Sequence, residues 1–111
     1  MLRTRLEAML ASIAGAQLVG HADTAAGAIE AILAARPDAV VLDLHLRQGT
    51  GFDVLRGVGE AVRSIAFYVL TNHPAPAYRQ SAERLGARGF FDKASEFALL
   101  RDTLARGAAQ A

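Results

Sequence analysis

Cysteine is absent from these 111 residues. Disulfides and thiolate metal sites are therefore excluded, and a reducing, cytoplasmic setting fits. Aromatic residues make up only 6%, too few for a stacking platform that holds single-stranded nucleic acid. The 12 basic and 11 acidic residues are scattered, leaving a net charge of +1. With no basic run, nothing resembles a phosphate-backbone footprint, and no nucleic-acid partner is expected. No apolar stretch approaches the roughly 20 residues that span a bilayer. The start, Met1-Leu2-Arg3-Thr4-Arg5, is charged and amphipathic, unlike the apolar core of a signal peptide. Repeats, linkers and low-complexity tracts are also missing, so residues 1–111 read as a single domain.

What is present is an ordinary globular composition, 52% hydrophobic and 21% charged, in a chain long enough for one core. Its apolar period switches back and forth. Leu2, Leu6, Met9 and Ile13 fall at helical spacing, and Gly15 stops that helix. Gln17 to Ala22 is a short apolar strand candidate. Asp23 or Thr24 can cap a helix on which Ala25, Ile29 and Ile32 or Leu33 share a face. Pro37 ends that helix, because the residue before proline is pushed out of the helical region. Ala39-Val40-Val41-Leu42 is a continuous apolar run, the signature of a strand buried on both faces.

The alternation continues through a turn at Gly49-Thr50-Gly51 and a helix with Phe52, Val54 and Leu55. A strand from Ile65 to Leu70 follows, then a helix from about Ala77 to Leu85. The strand Gly89-Phe90-Phe91 leads to a last helix, capped by Ser95, through Phe97, Leu100 and Leu104. Gly107 to Ala111 reads as a frayed end. Helices alternating with buried strands predict a parallel sheet with helices on both faces. The chain begins on a helix, where such a sheet would begin on a strand.

In parallel α/β sheets ligand chemistry sits at the carboxyl ends of the strands. Asp43, Thr71 and Lys93 stand at three successive strand ends. Singly, each has an ordinary role as a turn former, a strand former or half of a solvated pair. Together they suit phosphoryl transfer. An aspartate can become an aspartyl-phosphate, a lysine neutralises phosphoryl oxygens, and a threonine hydroxyl hydrogen-bonds to one.

The segments Pro37-Asp38-Ala39-Val40-Val41-Leu42-Asp43-Leu44, Gly49-Thr50-Gly51-Phe52-Asp53-Val54-Leu55, Val69-Leu70-Thr71 and Gly86-Ala87-Arg88-Gly89-Phe90-Phe91-Asp92-Lys93 resemble receiver domains of bacterial response regulators. Leu70 through Pro74, with Tyr78-Arg79 and Phe91-Asp92-Lys93, further resembles a stand-alone receiver group. The resemblance covers nearly the whole chain and implies a flavodoxin-like, three-layer α/β/α receiver fold in two-component or phosphorelay signalling. Asp43 would be the phosphoacceptor, Lys93 the phosphate-pairing lysine, Thr71 the switch hydroxyl and Phe90 the rotating aromatic. The His45 backbone carbonyl would face Mg²⁺ beside Asp43. The donor would be a histidine kinase or phosphotransfer protein. The chain would act as a signalling module and not as an enzyme.

Three departures from that family stand out. Its first strand ends in an acidic pair that holds Mg²⁺; here Glu7 and Asp23 are the only acidic residues before Glu30, and neither ends a strand. Arg47 and Ala94 stand where proline is usual. Mg²⁺ binding is therefore expected to be weak or absent, and a pseudo-receiver that is never phosphorylated is the alternative function. A small α/β enzyme is a distant third, since no Gly-rich phosphate loop or nucleophile elbow is found. Without the first, central strand, the neighbouring strands would close up, or two chains would form a homodimer by strand or domain exchange, or the natural start lies upstream of Met1. His21 reads as structural, and the imidazoles of His45 and His73 as incidental.

Overall fold

The computed structural model describes residues 2–15, 20 and 22–110. In order, the elements are helix α1 (Leu2–Ala11), helix α2 (Ala25–Ala35), strand β1 (Ala39–Asp43), helix α3 (Gly51–Val58) continued by a 3₁₀ turn (Gly59–Arg63), strand β2 (Ala66–Thr71), helix α4 (Pro76–Arg84), strand β3 (Gly89–Asp92) and helix α5 (Phe97–Gln110). The three described strands form one parallel sheet in the order β1-β2-β3. Of the strand candidate Gln17 to Ala22 only Gly20 and Ala22 are described, and His21 lies outside the described residues.

Side chains alternate across the strands, so each apolar run feeds two cores. Leu42, Phe67, Val69 and Phe90 face α2, α3 and α4, where Ala28, Ile32, Val54, Leu55 and Ala82 are buried. Leu70 and Phe91 face α1 and α5, packed with Met9, Ile13 and Leu100 and flanked by Val41 and Tyr68. This is the three-layer arrangement the apolar periods predict.

Local chemistry accounts for most boundaries. Of the two candidate caps for α2, Thr24 is the one used: its Oγ1 accepts from the Gly27 N–H at 3.1 Å. Arg36, before Pro37, ends α2 in the left-handed region at φ 49°, and its N–H still reaches the Ile32 carbonyl at 2.8 Å. The helix stops where proline predicts, by a left-handed cap and not by an extended residue. Thr50 and Asp53 form a reciprocal capping box at the start of α3.

Two expectations at the C-terminal end are corrected. The Ser95 hydroxyl donates to Asp92 Oδ2 at 3.2 Å. It is drawn to a nearby carboxylate and does not cap α5. The segment read as a frayed end instead continues α5 to Gln110, because its alanines are strong helix formers and one glycine costs only about 1 kcal/mol. The 3₁₀ turn after α3 had no counterpart in the periodic pattern.

Candidate functional site

Parallel pairing sets the strand ends level. Asp43 of β1 stands opposite Leu70 of β2, and Thr71 opposite Asp92 of β3. Asp43, Thr71 and Lys93 therefore share one rim of the sheet. Each strand closes in the same way, with a side-chain oxygen accepting the N–H two residues on. Asp43 Oδ1 accepts from His45 at 3.0 Å, Thr71 Oγ1 from His73 at 3.0 Å, and Asp92 Oδ1 from Ala94 at 2.9 Å. Aspartate and threonine favour these local turns because their short side chains reach their own backbone. The chain is thus led off the sheet at three adjacent points.

The direct contact at the centre is Lys93 Nζ to Asp43 Oδ2, 2.6 Å. The two side chains are 15% and 27% exposed, so the pair is largely enclosed yet reachable. Lys93 is the only lysine in the sequence, the other basic residues being arginines. Arginine's planar fork is bulkier and holds carboxylates in pairs of bonds; lysine supplies a compact, rotatable charge. Thr71 is fully buried, and its carbonyl accepts from the Lys93 N–H at 2.9 Å. The threonine is therefore tied to the pair through the backbone of Lys93.

Glycine is required beside Asp43. A Cβ on Gly51 would lie 2.9 Å from the Asp43 carbonyl oxygen and 3.3 Å from Leu44 Cα. Only glycine lets the start of α3 approach the strand end that closely. The intervening loop is fixed by Arg47, whose Nε lies 3.2 Å from Asp23 Oδ2 and whose N–H reaches the Asp23 carbonyl at 2.9 Å. Arg47, where proline is usual in receivers, so ties this loop to the start of α2. At the foot of α3, the Arg56 guanidinium, and then the Thr50 backbone N–H, hold the Asp53 carboxyl below its ordinary value of 3.8.

Phe90 does not join the Asp43–Lys93 pair. It is 4% exposed and lies beneath α4, with the Arg79 guanidinium 5.0 Å from its ring centre. His45 and His73 do come together: their ring centres are 5.0 Å apart and their planes 89° apart. Sequence reasoning missed this contact because it depends on the level ends of β1 and β2. The signal available was that each histidine stands two residues after a strand-end oxygen.

The fold and the rim define a class of protein, and comparison with known proteins agrees. The model of the response regulator receiver domain matches residues 1–105, and the chain belongs to that family. It is similar to the regulatory protein LuxO of Vibrio cholerae, 37% identical over 81 residues, which cover 73% of this chain and 18% of that protein. It also resembles the DNA-binding transcriptional activator DevR/DosR of Mycobacterium tuberculosis, 32% identical over 76 residues, which cover 68% of this chain and 35% of that one. The chain thus matches only about a third, or less, of the length of these curated relatives. Among solved structures, the signal receiver domain of the response regulator NarL from Mycobacterium tuberculosis superposes with a TM-score of 0.84 at 27% identity, covering 96% of this chain and 86% of that one.

Receivers use Mg²⁺, which prefers oxygen ligands from one or two carboxylates plus phosphate. Among the described residues, no three His, Cys, Asp or Glu side chains gather as ligands. Asp43 already faces the His45 N–H with one oxygen and Lys93 with the other. Among the described residues, Asp43 and the His45 carbonyl alone would face Mg²⁺, fewer oxygen ligands than a tight site needs.

Proposed function

We propose that this receiver accepts a phosphoryl group on Asp43 from a histidine kinase or phosphotransfer protein. The observation that carries the reading is the 2.6 Å contact between Asp43 and Lys93 at the level strand ends. A carboxylate oxygen of Asp43 attacks phosphorus, a carboxyl O–P bond forms, and the N–P bond to the donor imidazole breaks with its electron pair returning to nitrogen. Lys93 shifts from the carboxylate to the new phosphoryl oxygens as a point charge. The Thr71 hydroxyl, whose oxygen now accepts from the His73 N–H, still has a proton to donate. Turning toward the phosphoryl group releases that turn and so changes the β2–α4 loop. Phe90 beneath Arg79 is the aromatic whose packing responds.

The transfer modifies the chain itself, so we do not classify it as an enzyme. Mg²⁺ is held weakly at most, by Asp43 and the His45 carbonyl. A groove between α1 and the start of α5, lined by Arg5, Met9, Phe97 and Arg101, suits an amphipathic helix of the donor protein bearing acidic residues. Among the described residues no helix is long and apolar enough to cross a membrane; a cytoplasmic place without a membrane partner is part of the proposal, as histidine kinases and phosphotransfer proteins act there. Val40 and Val41 on β1, an edge of the described sheet, are only half-buried, which favours a homodimer through this edge; sedimentation as a monomer at all concentrations would remove that element.

The test is mass spectrometry after incubation with a phosphohistidine donor or a small acyl phosphate. One phosphoryl group on Asp43, absent in Asp43→Ala, is the expected result. That no second carboxylate stands beside Asp43 among the described residues favours the second reading, a pseudo-receiver. That reading holds instead if no phosphoryl group is found and beryllofluoride fails to bind across a Mg²⁺ titration.

A further inference from the structure

Beside Asp43 the rim brings two imidazole nitrogen donors together. His45 and His73 are each placed by a strand-end turn, so their Cα positions are set by the sheet and not by a free loop. Both residues are exposed to solvent. Their ring centres are 5.0 Å apart.

We propose that His45 and His73 form a two-imidazole site for a divalent transition-metal ion of the Zn²⁺ class, on the rim beside Asp43. With metal–nitrogen bonds of about 2.0–2.1 Å and tetrahedral angles, two imidazoles sharing an ion have ring centres about 5 Å apart. The observed separation matches. The edge-on contact, with planes 89° apart, needs only rotation about the broad terminal torsions of two exposed side chains to aim one nitrogen of each at a common point. An ordinary aromatic edge contact would account for the distance equally well, but it gives no reason for two imidazoles at the acceptor's own strand end and the adjacent one. Imidazole nitrogen favours zinc, nickel, cobalt or copper, whereas Mg²⁺ and Ca²⁺ favour oxygen. With no third His, Cys, Asp or Glu gathered among the described residues, the remaining positions belong to water or an anion, one protein ligand fewer than in open zinc sites with three. The inference does not require Asp43 to be phosphorylated, so its failure and that of the phosphoacceptor reading are separate results.

The test uses the whole, unphosphorylated chain at about pH 7.5, because metal binding competes with protons. Zn²⁺ is titrated by calorimetry, with imidazole resonances followed by NMR and Mg²⁺ run in parallel. One Zn²⁺ per chain is expected, moving the His45 and His73 resonances, with no such response to Mg²⁺. His45→Ala and His73→Ala should each weaken binding by more than about tenfold, since loss of a mere outer-shell partner already costs 10–100-fold. The double variant should lose the site, with an unchanged thermal melt showing that the fold persists. The proposal is overturned if the parent chain binds no Zn²⁺. It is equally overturned if the double variant, which keeps His21, binds it as tightly.

Discussion

Among the described residues the two faces of the sheet are unequally filled: 15 buried apolar residues with 6 partly covered ones on one side, 5 with 7 on the other. Toward α2, α3 and α4, Val54, Phe67, Val69 and Ala82 have no exposed surface at all. Toward α1 and α5, Leu70 and Leu100 are as deeply buried, but Leu6, Leu10, Val41, Tyr68, Phe97 and Leu104 around them are only partly covered. In sequence the strands read as continuous apolar runs and give no hint of this asymmetry. The filled face holds the helix that starts beside Asp43. The open face carries the groove next to Lys93. Rigidity on one side and access on the other suit a site that must keep its acceptor fixed while admitting a partner.

The sharpest way to break this contrast is to truncate one large side chain on each face. Phe67→Ala removes a fully buried ring and should cost about 3–5 kcal/mol of unfolding free energy. Met9→Ala, on α1 of the open face and 6% exposed, should cost about 2 kcal/mol, the lower end for such truncations. Denaturant unfolding measures both. Equal losses would mean that the two faces contribute alike and that the partial burial around α1 is immaterial.

A smaller effect is expected where the filled face meets the rim. Gly49 has φ +85°, and a Cβ there would lie 2.6 Å from the Ala25 Cβ. Gly49→Ala should therefore destabilise by more than about 1 kcal/mol, through both strain and collision. The same experiment reads how far α2 constrains the loop after Asp43. An unchanged midpoint would show that this loop is not locked to α2.

The alternation of helix and strand, the strand ends at Asp43, Thr71 and Lys93, and a cap at Asp23 or Thr24 were all legible in the sequence. They rest on local periodicity, turn chemistry or a family resemblance. What escaped was non-local. The 3₁₀ turn at Gly59–Arg63 is sustained by the chain around it and has no apolar period of its own. Asp92 looked like half of a solvated pair with Lys93, yet it accepts from Ala94 and Ser95, while Lys93 reaches across the sheet to Asp43. His45 and His73 looked unrelated, and only the register of β1 against β2 brings them into contact. Arg47, visible in sequence as a departure from the family, gains its meaning from Asp23, far away along the chain.

The smallest effect, and the one that most finely separates the filled face from the rest, concerns acid. Asp53 completes the capping box of α3, and its carboxyl is held below 3.8 by Arg56 and by the Thr50 N–H. A lowered folded-state pKa means that ionised Asp53 stabilises the fold. That contribution is complete above the unfolded value of about 3.8 and is lost as pH falls through the lower folded value. Asp53→Asn deletes the titration and keeps an oxygen that can accept the Thr50 N–H. The variant should melt below the parent at neutral pH, and the gap should narrow as pH drops toward 3. Thermal melts of the two chains at several pH values give the comparison, with every other carboxylate common to both. If the gap stays constant into acid, the Asp53 charge does not stabilise the start of α3, and the hold on the loop beside Asp43 comes from Thr50, Gly51 and Arg47 alone.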